Sequence, residues 1–265
     1  MFLQTRAMLD YATHMNVLRR IAARSGELSF DEEVDHSCLP LTVPAHYRMA
    51  ISMLPSVVGK NFVDIGCWTG GLLRLLRDEG ANHLIGLDIP GSWLSYARKS
   101  VPEATFYEIT SISEFPSDLD GKFDHVMFLE TIEHIPRKSE ASALNRISKL
   151  LNPNGMLILS TPAAGIAQLL DPAWYLVGHR HYRLHKLESL INGADMEIME
   201  VRYWGDFVTM INVILMYVWK HLFHRTYKPL LSITERTTLV YSHRRTLFST
   251  GIWISARPKS ASSFV

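Results

Sequence analysis

The sequence predicts an α/β fold built on a doubly wound, mostly parallel sheet of seven strands. From Lys60 onward, short apolar runs rich in branched residues alternate with segments of helical spacing. Strands that alternate with helices form a parallel sheet with helices on both faces. The 265 residues, 47% of them hydrophobic, are enough for one large domain with a sizeable core. The predicted strands cover residues 62–65, 83–87, 105–109, 123–129, 156–160, 197–203 and 247–255.

The chain divides into a lead-in, a main domain and an insertion. Residues 1–58 are predicted to be a helical lead-in, and residues 59–265 the main domain. Within that domain, residues 206–246 form an apolar and basic insertion between the last strands. The lead-in starts with an amphipathic helix in which Arg6 and Asp10 interrupt the apolar run that a signal peptide needs, so secretion is not expected. In the main domain, helical spacing covers residues 72–76, 93–99, 141–151 and 186–192.

Composition excludes several classes of protein. The net charge of +1 does not by itself indicate a nucleic-acid partner, and none is expected. The two cysteines, Cys38 and Cys67, lack the spacing of a disulfide framework or a thiolate zinc site. A reducing cytoplasm is therefore expected, with the inner face of the membrane as an alternative. No metal is expected either, because the histidines of residues 179–185 do not place two ligands on one helical face.

The loop after the first strand has the composition of a ligand-binding turn. It reads Val63-Asp64-Ile65-Gly66-Cys67-Trp68-Thr69-Gly70, and a helix follows at once. Glycine permits a tight turn and a close approach of ligand to backbone, and the helix start presents unpaired N–H groups. In such sheets ligands bind at the carboxyl ends of the strands, so this loop is either part of a binding site or an ordinary strand-to-helix turn.

An acid at the end of the second strand favours a ribose-containing ligand. Asp88 follows Asp64 by 24 residues, near the spacing expected for a carboxylate that accepts hydrogen bonds from ribose hydroxyls. The alternative is that Asp88 caps the next helix, near Gly91. The loop lacks the G-x-G-x-x-G fingerprint of dinucleotide enzymes, and Asp64 would repel a pyrophosphate. An acid there suits a ligand with an ammonium and a sulfonium group, such as S-adenosylmethionine.

Residues 60–161 resemble the Rossmann-like core of class I S-adenosylmethionine-dependent methyltransferases that modify quinones and other small molecules. The resemblance is carried by the glycine-rich loop, by Asp88, by the strand and exit at residues 123–135, and by the turn at residues 151–155. Trp68 departs from the family pattern, since a third glycine is usual at its position. The resemblance implies S-adenosyl-L-methionine as cofactor. It assigns cofactor binding to Asp64, Gly66, Cys67, Trp68, Gly70, Asp88, Ile89, Trp93, Thr110, Ser111, Leu129 and Glu130.

The implied chemistry is displacement of an electrophilic methyl group by a nucleophile, helped mainly by alignment of the two reactants. A base is needed only where the acceptor must lose a proton. His134 is one candidate for that base, with a role in holding the loop or contacting the cofactor as the alternative. His181 and Tyr182 are candidates for acceptor contact, with an ordinary polar loop as the alternative.

The insertion bears on the acceptor. Its apolar run, residues 207–219, is too short to span a bilayer, and its Tyr–Trp–Lys end suits an interface. A cap over the acceptor pocket, peripheral membrane contact through residues 207–223 and a dimer interface remain open. The first two suit a lipophilic or lipid-linked acceptor. The basic residues that follow the run are Lys220, Arg225, Lys228, Arg236, Arg244 and Arg245, with Glu235 as the acid among them.

Two rival functions also remain open. A nucleotide-dependent oxidoreductase would share the fold but not the loop spacing. A non-catalytic cofactor-binding or membrane-associated protein is compatible with Trp68 and Thr110, which depart from the family pattern.

Overall fold

The computed structural model describes residues 45–170, 180–211, 214–215, 218, 241–242 and 245–259. The predicted N-terminal helix, Cys38 and most of the basic stretch lie outside these residues. The strands are β1 (Asn61–Ile65), β2 (His83–Asp88), β3 (Thr105–Glu108), β4 (Phe123–Leu129), β5 (Leu151–Pro162), β6 (Met196–Trp204), β7 (Tyr241–Ser242) and β8 (Gly251–Pro258). The labelled helices are α1 (Ala45–Ser52), α2 (Gly71–Asp78), α3 (Ser92–Ser100), α4 (Glu140–Leu150), α5 (Ile166–Leu170) and α6 (Leu184–Gly193).

The strands form one mixed sheet in the order β3-β2-β1-β4-β5-β8-β6-β7. β1 to β5 run parallel, while β8 lies antiparallel between β5 and β6. The chain moves outward from β1 to β3 on one side and then crosses back to β4 on the other. This reversal opens a crevice beyond the carboxyl ends of β1 and β4, where doubly wound sheets bind ligands. The predicted seven-stranded fold is confirmed, and the short β7 joins its edge through β6.

Two of the differences from the predicted boundaries have a cause in local turns. The last long strand was predicted at residues 247–255 but begins at Gly251 and ends at Pro258. The reason is a turn before it, in which the Ser249 hydroxyl accepts a hydrogen bond from Thr246 N–H at 3.0 Å. The turn predicted at residues 151–155 lies inside the range of β5, where the register against β4 shifts. There Asn154 N–H donates to the Asn152 side chain, which keeps the local turn chemistry.

Alternate residues of the strands feed two apolar cores, one on each face of the sheet. On β1, Val63 and Ile65 join the core beneath α4 and α6, whereas Phe62 joins the core beneath α1, α2 and α3. This is the period of two that a strand covered on both faces requires. Met49 and Met53, on and just after α1, are buried in the second core. Residues 45–53 of the predicted lead-in therefore pack as part of the main domain.

Gly86 in β2 gives a direct test of packing between the sheet and the loop beneath it. A Cβ at this position would lie 2.6 Å from Phe106 Cδ1 and 2.8 Å from Cys67 Sγ. We expect Gly86→Ala to lower the free energy of unfolding by about 1–3 kcal/mol through overpacking. Gly193→Ala is the matched control, because nothing lies within 4 Å of its added Cβ. Equal urea midpoints for the two variants would contradict this account of the core.

Candidate active site

The loop between β1 and α2 folds back onto the end of β2. Gly66 and Gly70 have φ angles of +81° and +76°, which glycine adopts without a steric penalty. Gly66 N–H donates to Leu87 O at 2.8 Å, so the loop is tied to the neighbouring strand. A Cβ on Gly66 would lie 2.3 Å from Thr131 Oγ1. That hydroxyl is itself bonded to the backbone at Ile65 and Leu129, so the loop after β4 closes directly over the glycine.

Asp88 holds the far side of this loop. Its Oδ2 accepts from Trp68 N–H and its Oδ1 from Ile89 N–H, both at 2.7 Å. Burial raises the pKa of Asp88, and the bonds from Trp68, Ile89 and Trp93 oppose that shift. A carboxylate has about four acceptor sites, so one remains after these three bonds for a ribose hydroxyl. The alternative role as a helix cap is not seen, because α3 is capped by the Gly91 backbone without a side-chain bond.

Trp68 is the unusual residue of the loop. Its φ of +46° lies in the left-handed region, which costs a non-glycine residue about 1 kcal/mol. The hydrogen bond from its N–H to Asp88 compensates for part of that cost. Its side chain is 52% exposed, so the indole stands at the lip of the site and does not fill it. The departure from the usual glycine therefore leaves the loop open.

The side predicted to face adenine is held by its own hydrogen bonds. The Trp93 ring lies against Gly91, whose absent Cβ would be 2.3 Å from Cη2. Thr110 donates its hydroxyl proton to Glu114 at 2.8 Å, and Ser111 forms a capping box with the same glutamate. The Thr110 oxygen can still accept a bond from a base amino group. The adenine contacts of Trp93, Thr110 and Ser111 stay predictions.

Asp64 is a buried acid below the loop. Only 4% of the residue is exposed. Burial, and to a lesser degree the nearby Asp88, raises the pKa of Asp64 to about 8. A carboxyl group held in this way favours a cation as its neighbour, because a positive charge would stabilise the ionised form.

Two glutamates stand at the exit of β4. Glu130, with a φ of +45°, accepts a hydrogen bond from Ser160 Oγ at 2.7 Å. Thr161 Oγ1 donates to Glu133 Oε2 at 3.0 Å. Burial raises the pKa of both carboxyl groups, and Glu130 raises that of Glu133 further. The hydrogen bond between the two carboxyl groups lowers the pKa of Glu130 and raises that of Glu133. Glu130 as a whole residue is exposed to solvent, although protein surrounds its carboxyl group.

The segment that carries His181 is anchored by its neighbours. Arg180 donates to the carbonyls of Ile132, Glu133 and Ile135, and to Glu140 at 2.7 Å. Tyr182 is buried, and its hydroxyl donates to Glu140 at 2.6 Å and to Ile132 O at 3.1 Å. Its predicted acceptor contact would require breaking these bonds.

The two histidines predicted for catalysis have different surroundings. His181 lies close enough to Glu130 to interact with its charge. His134 is exposed on the loop after β4, and its backbone N–H donates to Thr131 O at 3.0 Å. The structure thus brings His181 together with the carboxyl pair and places His134 on the outer part of the loop. The catalytic roles of both stay predictions.

Sequence reasoning missed Ser160, Glu133 and Arg180. A signal for the first was present, because Ser160 and Thr161 end an otherwise apolar strand at the level of the predicted crevice. Arg180 stands among histidines, and no local pattern indicates that it would bind three carbonyls of a loop more than 40 residues away in sequence.

Comparisons with known proteins agree with this site. The model of a methyltransferase domain family matches residues 44–201. An O-methyltransferase of ubiquinone biosynthesis from Dechloromonas aromatica is 33% identical over 109 residues, which are 40% of this chain and 46% of that protein. Phosphoethanolamine N-methyltransferase 2 of Caenorhabditis elegans is 28% identical over 141 residues, 52% of this chain and 32% of that protein. The chain thus spans less than half the length of these relatives.

A solved structure extends the likeness to the fold. The S-adenosylmethionine-dependent methyltransferase from Mesorhizobium loti superposes with a TM-score of 0.57 at 17% identity. The match covers 80% of this chain and 97% of that one.

Asp64 makes a prediction about stability and pH. Its folded pKa of about 8 exceeds the ordinary 3.8, so the unfolded chain releases this proton first. The wild type therefore loses stability from this group as pH rises from about 4 to about 8. We expect Asp64→Asn to become more stable relative to the wild type as the pH rises. The difference in their free energies of unfolding should increase by at least about 1 kcal/mol from about pH 5 to about pH 8. Guanidinium unfolding at both values measures it, with the exposed Asp118→Asn as control. If the difference in unfolding free energy between variant and wild type is the same at both pH values, the raised pKa of Asp64 is contradicted.

Proposed function

Because this chain belongs to the class I S-adenosylmethionine-dependent methyltransferase family, we propose that it methylates a small, lipophilic or lipid-linked acceptor. The observation that carries the proposal is the closure of the Gly66–Gly70 loop by Asp88 at the crevice of a doubly wound sheet. Asp88, proposed to bind the ribose, and the buried Asp64 lie at the ends of β2 and β1, and Glu130 follows the end of the neighbouring β4. The two named relatives are an O- and an N-methyltransferase, so both kinds of acceptor occur among similar proteins.

The residues fit S-adenosylmethionine in the following way. Asp88 accepts from the ribose hydroxyls, Asp64 favours the ammonium group, and the loop of Gly66, Cys67, Trp68 and Gly70 surrounds the methionine end. Ile89 and Trp93 flank the base. When bound, the sulfonium supplies an electrophilic methyl group. The chain contributes alignment, which accounts for much of the rate when the donor is already activated.

For an acceptor that loses a proton, the best-placed base is Glu130. Ser160 and Glu133 form hydrogen bonds with its carboxyl group, which fixes its orientation. The raised pKa makes Glu130 a stronger base than an exposed glutamate. His181 lies close enough to this base to interact with its charge.

The case for a lipophilic acceptor comes from the segment after β6. Asp206 caps a helical turn there by accepting from Thr209 N–H at 2.8 Å, and Thr209 and Met210 are buried beneath it. The opposite side is apolar and exposed. Its members recur at helical spacing and are between 37% and 53% exposed: Phe207, Val208, Ile211, Leu215 and Val218.

This apolar face suits the interface of an anionic membrane. No helix among the described residues has the length and hydropathy needed to cross a bilayer. The sequence from Lys220 to Arg245 adds six basic residues against one acid. An apolar face followed by basic residues gives both the burial and the attraction that interfacial binding requires. We therefore choose the membrane over a dimer contact, with an acceptor drawn from that surface.

The cofactor assignment predicts the behaviour of Asp88→Ala. By titration calorimetry, the wild type should bind S-adenosylhomocysteine and Asp88→Ala should bind at least about tenfold more weakly, since a charge-assisted bond to the ribose is lost. The exposed Asp118→Ala should bind like the wild type. A folded wild type that binds NAD but not S-adenosylhomocysteine would support an oxidoreductase and overturn the proposal.

The membrane assignment predicts a loss of vesicle binding in Ile211→Ser/Leu215→Ser. The wild type should sediment with vesicles of phosphatidylcholine and phosphatidylglycerol, and the double variant should stay largely in the supernatant. Met199→Ser is the control, because Met199 is an equally exposed apolar residue on β6. A wild type that never sediments with such vesicles would contradict membrane contact.

A further inference from the structure

An open cavity of about 910 Å³ lies beyond the carboxyl end of β5. The starts of α5 and α6 and residues 245–247 line it. Among the described residues that line it, apolar and basic side chains predominate and none is acidic. Ile166, Leu169 and Leu247 are apolar and between 49% and 66% exposed. Arg183, Arg245 and His185 are the basic members.

Residues 180–183 connect this cavity to the carboxyl pair at the end of β4. Arg180 and Tyr182 both point inward to Ile132 and Glu140. Side chains of an extended segment point alternately to its two sides. Those of His181 and Arg183 therefore face away from those of Arg180 and Tyr182. His181 lies by Glu130, and Arg183 lines the cavity. Two residues of extended chain span about 7 Å, so one molecule can touch both.

Arg245 is placed by backbone contacts. Its Nη2 donates to the carbonyl of Ala164. It also lies 2.7 Å from where a Cβ on Gly165 would be, so the missing side chain leaves room for the guanidinium. Arg245 has five N–H donors, and this bond uses one of them. Two arginine forks beside apolar side chains match a ligand that is anionic at one point and apolar elsewhere.

We propose that this cavity is the acceptor site and that it selects an apolar acceptor carrying an anionic group, such as a phosphate, sulfate or carboxylate. Arg183 and Arg245 bind the anion, and Ile166, Leu169 and Leu247 contact the apolar part. The nucleophile then lies toward His181 and Glu130. This inference rests on the proposed methyltransferase function, because it identifies the cavity as the second substrate site of the same crevice.

Calorimetry with a matched pair of probes tests the inference. The full chain, saturated with S-adenosylhomocysteine, is titrated with dodecyl phosphate and, separately, with uncharged dodecyl maltoside, both below their micelle concentrations. Dodecyl phosphate should bind at least about tenfold more tightly, because it alone offers an anion to the arginines. Equal affinities would overturn the inference. Absence of S-adenosylhomocysteine binding would instead refute the proposed function.

Variants assign the anion to the two arginines. Arg183→Gln and Arg245→Gln should each weaken dodecyl phosphate binding about tenfold or more, while Arg183→Lys, which keeps the charge but loses the fork, should weaken it less. Gly165→Ala should also weaken binding, since it displaces the Arg245 guanidinium without removing its charge. Arg257→Gln is the control, because Arg257 lies at the opposite end of β8 and pairs with Glu197. Wild-type affinity for dodecyl phosphate in both glutamine variants would overturn the assignment.

The source of the anion is decided by vesicles. If Arg183→Gln also weakens sedimentation with phosphatidylglycerol vesicles, the cavity takes the headgroup of a membrane lipid. If sedimentation is unchanged while dodecyl phosphate binding falls, the acceptor is a dispersed anionic amphiphile. Both results support an anion site. Retained S-adenosylhomocysteine affinity in each variant shows that its fold is intact.

Discussion

The whole crevice depends on the parallel register of β1, β2, β4 and β5. Ile65 pairs with Leu87, Asp64 with Met127, and Leu129 with Ser160, so the carboxyl ends of the four strands lie at one level. Asp64, Asp88 and Glu130 each lie at or next to such an end. A slip of one residue would turn every side chain to the opposite face, and both apolar cores oppose that slip.

Hydrogen bonds stabilise the ionised forms of the acids in the site, whereas burial destabilises them. Asp64, Asp88, Glu130 and Glu133 all have raised pKa values, chiefly because protein surrounds them. A fold selected only for stability would replace such groups with apolar ones. A bound ligand with positive charge would lower the electrostatic cost of burying these groups. Trp68 and Glu130 both have left-handed φ angles, which strain the backbone of a non-glycine residue.

The side of the crevice proposed for the methyl donor and the side proposed for the acceptor differ in charge. Carboxyl groups surround the donor side, where a sulfonium cofactor is proposed, whereas arginines and apolar side chains line the cavity beyond β5. The apolar face of residues 207–218 lies near that cavity through the contact of Phe207 with Phe248, whose ring centroids are 5.2 Å apart. A lipophilic, anionic acceptor would approach from this side, and the cofactor from the other.

The sequence by itself determined the alternation of strands and helices over residues 60–160, the loop with Gly66 and Gly70, and Asp88, because each depends on local spacing and on the rule that ligands bind at strand ends. The tertiary structure decided which side chains of distant segments contact these residues. It alone showed that Thr131 covers Gly66, that Arg180 binds the loop after β4, and that Tyr182 turns inward while His181 meets Glu130. These contacts join residues from 42 to 66 positions apart, and no periodicity encodes such pairs. The cavity near Arg183 and Arg245 arises in the same way, since packing of distant segments creates it.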